Sequence, residues 1–221
     1  MNELSQLENG LFSTQKDLDA LKKNNDIKIL VLSDSHGSKD LLLEIIKTFG
    51  QKVDALLFSG DGIYDLIYSL EKSKKTIGSA KYLPSVIGFV KGNNDPSTAS
   101  STFQKKIIVP SKIILKAGER TILVTHGHNE GVYYDFSNLT AISQAYGANA
   151  VIFGHTHVPT EIMGTTYVMN PGSITCPRYK SFKSFAILEI TGKNINSVFY
   201  KIDENSKNKF IPYFPETFYG F

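Results

Sequence analysis

Apolar and polar residues divide the first half of the chain into short apolar runs separated by longer amphipathic segments. The apolar runs predict buried strands at residues 27–32, 55–58 and 85–90. The segments between them have apolar residues at helical spacing, which predicts helices at 39–49 and 64–74. An order of strand, helix, strand, helix, strand is typical of a mostly parallel sheet.

The second half of the chain is richer in strand-like segments. One helix is predicted at 139–146, where Gly147 ends it, and the other apolar segments have the length of strands. We therefore expect a fold of the α/β class, with neighbouring strands joined by tight turns after residue 105. Strands or hairpins are predicted at 106–109, 112–116, 120–124, 150–153, 160–169 and 184–202.

Both ends of the chain lie outside this alternating pattern. Residues 1–26 carry leucines at helical spacing, which predicts a helix packed on the body, with a short coiled-coil contact as the alternative. The domain organisation expected is an N-terminal helical extension at 1–26, a central domain at 27–202 and an aromatic tail at 203–221. We expect the tail to pack on the body or on a partner subunit. Its aromatic residues are Phe210, Tyr213, Phe214, Phe218, Tyr219 and Phe221.

The composition is that of a globular protein. Apolar residues make up 41% of the 221 positions and charged residues 20%, which excludes a wholly disordered chain. The single cysteine, Cys176, excludes an intramolecular disulfide, and together with an N-terminus that has no signal-like pattern it favours a cytoplasmic location. A net charge of +3 is too small to indicate a nucleic acid polymer as partner. The apolar runs are too short for a membrane span, so no membrane partner is expected.

Polar residues of metal-ligating type follow five of the apolar runs directly. If these runs are strands, the polar clusters lie at the carboxyl ends of strands, where α/β enzymes place their sites. All five histidines of the chain fall in these clusters, and packing alone does not explain such a distribution. The clusters are Asp34-Ser35-His36, Gly60-Asp61, Gly92-Asn93-Asn94-Asp95, His126-Gly127-His128 and Gly154-His155-Thr156-His157.

The type and spacing of these side chains indicate a catalytic metal centre. Asp34 and His36 are two residues apart, as are His155 and His157, so an extended backbone would let each pair chelate. Imidazole, carboxylate and amide ligands without thiolate favour Mn²⁺, Fe or Zn²⁺ in an open site. Seven candidates exceed one tetrahedral ion and suit two ions that share a carboxylate. The candidate ligands are Asp34, His36, Asp61, Asn93, His126, His155 and His157.

The order of these clusters resembles the calcineurin-like metallophosphoesterases, and more closely their small bacterial and archaeal phosphodiesterases of the YfcE type. The resemblance covers about residues 27–190, and although each motif alone is weak, all of them in this order are specific. The segments that carry it are Ser33-Asp34-Ser35-His36-Gly37, Thr125-His126-Gly127-His128, Gly154-His155-Thr156-His157-Val158-Pro159, Asn170-Pro171-Gly172-Ser173 and Pro177-Arg178.

The resemblance implies a fold, a cofactor and a set of ligand roles. It implies two mixed β-sheets packed as a sandwich flanked by helices, with two divalent metal ions, for which Mn²⁺ is favoured and Fe, Ni or Zn are alternatives. A hydroxide between the ions would attack phosphorus in line. One ion would take Asp34, His36, Asp61 and His157, and the other Asp61, Asn93, His126 and His155, with Asp61 as the bridge.

One position departs from many larger relatives of the resembled family. These have a histidine, thought to protonate the leaving oxygen, where this chain has Asn94, which cannot act as an acid. His128 is the histidine that remains outside the implied ligand set, and we predict that it contacts the substrate or donates the proton. Together with Asp61 and Asn93, it completes the candidate catalytic residues.

Three further features have both a structural and a functional interpretation. Asp95 could bind metal, but an aspartate so placed more often orients its neighbours, which is our prediction. The turn at 170–173 is predicted to be a structural loop near the metals. Arg178 either binds a phosphate or is a solvated surface arginine, and the sequence does not separate the two.

These observations predict a metal-dependent phosphoesterase that acts on a small phosphodiester. A phosphomonoesterase or phosphoprotein phosphatase is one alternative. A non-catalytic scaffold is another, because a eukaryotic retromer subunit resembles the same small subfamily. The complete set of metal-competent residues favours an enzyme over the scaffold. Association of copies of this chain through their termini stays open at this stage.

Overall fold

The structure is a computed structural model that describes residues 5–75, 82–206 and 208–215. In these ranges the chain forms two β-sheets that stack face to face and carry helices on their outer surfaces. None of the described helices is both long and apolar enough to cross a lipid bilayer. The helices are α1 (Gln15–Lys23), α2 (Lys39–Phe49), α3 (Ile63–Lys75) and α4 (Ser137–Ala145), with a 3₁₀ turn at Gly50–Lys52.

The larger sheet has eight strands. Its three central strands, which correspond to the strands predicted in the first half of the chain, run parallel, and the flanking strands are antiparallel. In spatial order the strands are β1 (Ser5–Gln6), β2 (Phe12–Ser13), β5 (Val86–Phe89), β4 (Ala55–Phe58), β3 (Asp26–Leu32), β13 (Ser184–Thr191), β14 (Asn194–Ile202) and β15 (Phe210–Tyr213).

The second sheet has five strands and is also mixed. Its middle strand runs parallel to both neighbours, and the two outer pairs are antiparallel. In spatial order the strands are β11 (Thr160–Ile162), β12 (Tyr167–Asn170), β10 (Ala150–Ile152), β9 (Arg120–Thr125) and β8 (Lys112–Ala117); a separate two-stranded sheet joins β6 (Thr98–Ala99) to β7 (Ile107–Ile108).

Side-chain alternation along the strands creates the layers of the fold. On β3, Ile29 and Val31 belong to the core between the two sheets, whereas Leu30 and Leu32 belong to the core beneath α2 and α3. On the second sheet, Leu123 packs in a third core with Leu139 of α4. The predicted α/β class, with two mixed sheets flanked by helices, is therefore confirmed.

Most of the predicted elements are present, with one change of pairing. The helix at 39–49, the strand at 55–58 and the hairpin at 184–202 occur as expected. The segment at 106–109 does not join β8, because only Ile107 and Ile108 form a strand and they pair with β6. Pro110 follows this strand and has no N–H to donate to a sheet, which separates it from β8.

The N-terminal segment differs from the predicted helix. Helix occurs only in α1, and it begins where the Thr14 hydroxyl accepts a hydrogen bond from the Asp17 N–H at 3.1 Å. Before it, Gly10 has a φ of +86° and turns β1 back onto β2. Phe12 is buried and pairs with Ile87 of β5. The segment therefore extends the larger sheet instead of forming a helical appendage.

The described part of the aromatic tail also belongs to the larger sheet. Phe210 begins β15 and packs against Phe49 and Phe185 with ring centroids 5.6 Å apart in both pairs. Phe214 is 95% exposed, so the packing ends there. Up to Tyr213 the tail thus packs on the body. Phe218, Tyr219 and Phe221 lie outside the described residues.

Candidate metal centre

The strand order brings the five polar clusters to one end of the sandwich. Strands β3, β4 and β5 are parallel neighbours in one sheet, and β9 and β10 are parallel neighbours in the other. Because each cluster follows the carboxyl end of one of these strands, all five meet where the two sheets face each other. One hydrogen bond joins the two sheets there, from the His155 N–H to Asp34 Oδ2, and the Gly154 N–H links the loops after β10 and β9 by donating to the His126 carbonyl.

Five of the candidate ligands have left-handed backbone conformations. For a residue other than glycine this costs about 1–3 kcal/mol, so the surrounding structure must impose it. The Asp34 N–H donates to the Gly60 carbonyl at 2.9 Å and the His36 N–H to the Asp61 carbonyl at 3.3 Å, which locks these loops together. The φ angles are 53° at Asp34, 41° at His36, 56° at Asp61, 67° at His155 and 61° at His157.

One sequence argument therefore fails for His155 and His157, although Asp34 and His36 do come together. We expected extended backbone to point both members of each pair in the same direction. In the left-handed conformation that alternation does not apply, and the His155 and His157 rings join different groups. His157 packs beside His36 with ring centroids 4.9 Å apart, and His155 packs beside His126 at 5.1 Å.

Asp34, His36 and His157 form the first group. Each offers one ligand atom, and these atoms lie within 4.8 Å of one another. His157 Nε2 is 3.1 Å from Asp34 Oδ1 and 3.1 Å from His36 Nε2, while His36 Nε2 is 3.7 Å from Asp34 Oδ1. Asp34 is fully buried and His36 is partly exposed, so the group opens toward solvent on the His36 side.

Asp61, Asn93 and His126 form the second group. His126 Nε2 is 3.5 Å from Asp61 Oδ2 and 3.2 Å from Asn93 Oδ1. Asp61 Oδ2 is also 3.9 Å from His36 Nε2, so this carboxylate faces both groups. A carboxylate oxygen of Asp34 also lies within 4.8 Å of ligand atoms of Asp61 and His126, so Asp34 borders both groups as well.

Acceptor atoms face one another in both groups, which fits a bound cation. His126 Nδ1 lies 2.7 Å from the Ser59 carbonyl and His157 Nδ1 lies 2.6 Å from the Cys176 carbonyl. A carbonyl can only accept, so each Nδ1 carries a proton, and in this tautomer a neutral ring points its Nε2 lone pair into the site. Asp34 Oδ1 is buried there and receives no hydrogen bond. Facing lone pairs repel unless a proton or a metal ion lies between them.

The pKa shifts of Asp34 and His126 reflect the attraction between the carboxylates and the imidazole rings of this site. Burial opposes ionisation of Asp34, but the facing His157 and His36 rings outweigh burial and hold the pKa of the carboxyl well below its ordinary value. Burial likewise favours neutral His126, yet the Asp61 and Asp34 carboxylates raise its pKa. A proton on His126 thus takes the place that the geometry gives to a metal ion.

His155 differs from the other rings of the site. Burial and the neighbouring His126 lower the pKa of His155 to about 4, which keeps its ring neutral at physiological pH. A neutral imidazole is the form that binds metal. The His155 ring therefore lies beside the second group in a state suited to a ligand.

Comparison with known proteins identifies the family. The calcineurin-like phosphoesterase superfamily domain matches residues 27–193. The chain belongs to this superfamily. It is 31% identical over 175 residues to the probable metallophosphoesterase YsnB of Bacillus subtilis, a match that covers 79% of this chain and 90% of YsnB.

Solved structures show the same fold for this calcineurin-like phosphoesterase. A conserved uncharacterized protein from Streptococcus pneumoniae, described as a predicted phosphoesterase, is 28% identical with a TM-score of 0.61, over 80% of this chain and 90% of that protein. An archaeal phosphodiesterase is 21% identical with a TM-score of 0.57, over 78% of this chain and 99% of that one. The resemblance to the metallophosphoesterase family is thereby confirmed, and with it the assignment to a family of metal-binding hydrolases.

Asp95 organises the centre of this calcineurin-like phosphoesterase without joining either group. Its Oδ2 accepts hydrogen bonds from the Asp61 and Gly92 N–H groups at 2.7 and 3.0 Å. Its Oδ1 accepts from the Gly62 and Ile63 N–H groups, both at 2.9 Å, at the start of α3. The predicted orienting role fits this geometry, since one carboxylate fixes the loop that carries Asp61.

Asn94 has a contact that the sequence did not suggest. Its backbone N–H donates to Asp61 Oδ1 at 2.8 Å and its side-chain amide donates to Asp61 Oδ2 at 2.6 Å. The position where larger relatives have a histidine therefore helps to orient the shared carboxylate. Gly92 makes room for this arrangement, because a Cβ there would lie 2.0 Å from Asp61 Oδ1.

Several other supporting residues have no sequence signal of their own. Asp65 accepts hydrogen bonds from the Ser35 hydroxyl and the Gly37 N–H, which holds the loop after β3. Ser173, in the turn predicted to be structural, donates to the Asp34 carbonyl at 2.7 Å. Tyr133 donates to the His155 carbonyl at 3.0 Å. Only folding reveals these contacts, since their partners are 22 to 139 residues away.

Proposed function

We propose that the protein is a phosphodiesterase with a dinuclear metal centre, for which Mn²⁺ is the favoured metal, and that it acts in the cytoplasm on a small phosphodiester. The observation that carries the proposal is the position of Asp61. Its Oδ2 faces His36 Nε2 of one group at 3.9 Å and His126 Nε2 of the other at 3.5 Å. A carboxylate placed between two ligand groups suits a bridge between two ions.

The assignment of ligands follows the two groups. Asp34, His36 and His157 would hold one ion, and Asn93, His126 and His155 the other, with Asp61 shared. Two bound divalent ions would supply an activated water nucleophile and would neutralise charge on the phosphate oxygens.

The protein's own groups keep these ligands in position. The Ser59 and Cys176 carbonyls fix the His126 and His157 rings, so that Nε2 of each is available as a ligand. Asn94 and Asp95 hold the Asp61 loop. These contacts prepare the site before substrate arrives.

The residues around Asp61 favour a substrate with a good leaving group, and a diester is favoured over a monoester because it carries only one negative charge. Asn94 replaces the acid that would protonate a poor leaving group, and its amide is already occupied by Asp61. An alkoxide leaving group without a proton donor is slow to depart. The archaeal phosphodiesterase with the same fold supports this preference.

His128 is the remaining candidate for a contact with the leaving group. Its Nε2 receives a hydrogen bond from the Asn129 amide at 3.0 Å, which leaves the proton of a neutral ring on Nδ1. Nδ1 is buried and has no partner within the described residues, so a contact with the leaving group requires that the ring be uncovered when substrate binds. Its ring lies 5.3 Å from that of His126. Burial and His126 lower the pKa of His128, so a neutral N–H donor to substrate suits it better than an imidazolium acid.

A substrate panel on metal-loaded protein tests the function. We expect Mn²⁺-loaded protein to hydrolyse bis(p-nitrophenyl) phosphate faster than p-nitrophenyl phosphate, and metal analysis to find two ions per chain. Faster turnover of the monoester would favour a phosphomonoesterase. Two bound ions without hydrolysis of any phosphoester, cyclic nucleotides included, would favour the scaffold. One firmly held ion would contradict the dinuclear centre.

A second measurement tests His128. In a series of aryl phosphodiesters, His128→Ala should lower kcat/KM by about tenfold for leaving groups of high pKa and by less for nitrophenolate, because only the poor leaving groups need the N–H. The plot of log kcat/KM against leaving-group pKa should become steeper. His128→Asn is the matched variant, since it keeps a donor of similar size. Parallel plots for wild type and His128→Ala would contradict the role.

A further inference from the structure

Arg178 lies at the rim of the candidate metal centre. Its guanidinium donates a hydrogen bond to the Tyr133 hydroxyl and lies 5.8 Å from the centroid of the Tyr133 ring. That ring packs against the His155 ring at 5.0 Å, and its hydroxyl donates to the His155 carbonyl. Arg178 is therefore one residue removed from a candidate ligand, although its own side chain is exposed.

The loop that carries Arg178 is ordered by its own contacts. The Arg178 N–H donates to the carbonyl of His157, another candidate ligand. The carbonyl of Arg178 accepts from both the N–H and the hydroxyl of Ser181, at 3.0 and 2.6 Å. Tyr179 and Lys180 have φ angles of 50° and 62°, which this turn imposes on them. The loop thus fixes the direction in which Arg178 leaves the backbone.

The charge of Arg178 has no counterion in the described part of the chain. No carboxylate there lies within 4 Å of the guanidinium, although the site below it is rich in aspartate. Tyr133 occupies one donor of the fork and leaves the others for a ligand. A guanidinium that reaches the metal site through Tyr133 and is not paired with a carboxylate suits an anion that arrives from solvent.

We propose that Arg178 binds a non-bridging oxygen of the substrate's phosphate group and that Tyr133 is a positioning residue that holds the guanidinium over the site. This inference rests on the proposed function, since it assigns the phosphoester a second anchor besides the metal ions. The planar fork can form two parallel hydrogen bonds to a phosphate, which fixes its orientation. Of the two interpretations of Arg178, this proposal adopts phosphate binding.

Titration with inorganic phosphate tests the anchor without turnover. With Mn²⁺-loaded protein in a calorimeter, Arg178→Ala should raise the Kd of phosphate about tenfold, and Arg178→Lys should restore only part of the affinity because an ammonium lacks the fork. Lys180→Ala is the matched control, since it removes one exposed positive charge from the same loop. Equal losses in Arg178→Ala and Lys180→Ala would overturn the assignment, because they would indicate a general field effect.

Tyr133→Phe tests the positioning role. The variant keeps the ring and removes the hydroxyl, so KM for bis(p-nitrophenyl) phosphate should rise about threefold while kcat and the metal content stay unchanged. A loss of bound metal with unchanged KM would show that Tyr133 acts through His155 instead. Phosphate binding that depends on Arg178 in a protein that hydrolyses no phosphoester would contradict the proposed function and leave the anchor standing. Hydrolysis by the wild type together with an unchanged phosphate affinity in Arg178→Ala would support the proposed function and overturn the anchor.

Discussion

Asp61→Asn is expected to lower kcat for bis(p-nitrophenyl) phosphate at least about 100-fold, which corresponds to about 2.7 kcal/mol of transition-state stabilisation. The substitution keeps the size of the side chain and removes its negative charge. Because the Asp61 carboxylate faces both His36 and His126, its loss should weaken both ion sites together. His157→Asn, which alters only the first group, should cost less.

Metal analysis and a variant far from the site test whether the loss of kcat in Asp61→Asn comes from the metal centre. Bound metal should fall below two ions per chain in Asp61→Asn at Mn²⁺ concentrations that saturate the wild type. Asp26→Asn is the control, because Asp26 is exposed at the opposite end of β3 from the metal centre. Near-normal turnover by Asp61→Asn, or a similar loss in Asp26→Asn, would contradict the bridging role.

Asp95→Asn should destabilise the fold and the site together. Four backbone N–H groups donate to the Asp95 carboxylate, and an asparagine would keep one acceptor oxygen and turn an NH₂ group toward two of these donors. Leaving buried donors unsatisfied costs about 1–3 kcal/mol each, so we expect about 3 kcal/mol of lost stability in all. Turnover should fall about 30-fold in the folded protein, because the freed loop carries Asp61.

Asp54→Asn provides the matched comparison for Asp95. Asp54 precedes β4, and within the described residues it accepts one backbone N–H, that of Lys28, in an exposed hydrogen bond. Its loss should cost less than about 1 kcal/mol. Urea unfolding of the metal-free variants gives the stability, and kinetics at the Mn²⁺ concentration that saturates the wild type gives the effect on turnover. If Asp95→Asn and Asp54→Asn were equally stable, the four contacts of Asp95 would have no special weight.

The two substitutions also separate direct from indirect effects on the centre. Excess Mn²⁺ can refill a site whose ligands are intact but loosely held, so it should recover part of the activity of Asp95→Asn. It should not recover Asp61→Asn, where the shared ligand itself has changed. Equal recovery of the two variants would indicate that Asp61 acts only as a structural residue.

The sequence by itself determined most of the strands and helices and predicted which residues form the candidate centre, whereas the stacking of two sheets was implied only by the resemblance to the metallophosphoesterases. Apolar runs as short as Ile29–Leu32 and Ala55–Phe58 favour buried strands, and their carboxyl ends predict where polar side chains gather. The apolar runs and the polar residues after them are local patterns in the chain, so they can be recognised without knowing which segments pack against them. The helical spacing of the N-terminal leucines is also a local pattern, and it predicted a helix at 1–26 that is only partly present. The turn at Gly10 and the pairing of Phe12 with Ile87 outweigh that spacing.

Tertiary structure decided how the ligands divide into groups and what supports them. Hydrogen bonds between loops of both sheets impose left-handed backbone on residues such as His155 and His157, which sends their rings to different groups. The four donors of Asp95 and the contact between Arg178 and Tyr133 likewise join segments that are distant in the chain. Such contacts form only where the packing of the two sheets brings the loops together, and this packing cannot be predicted from local residue patterns.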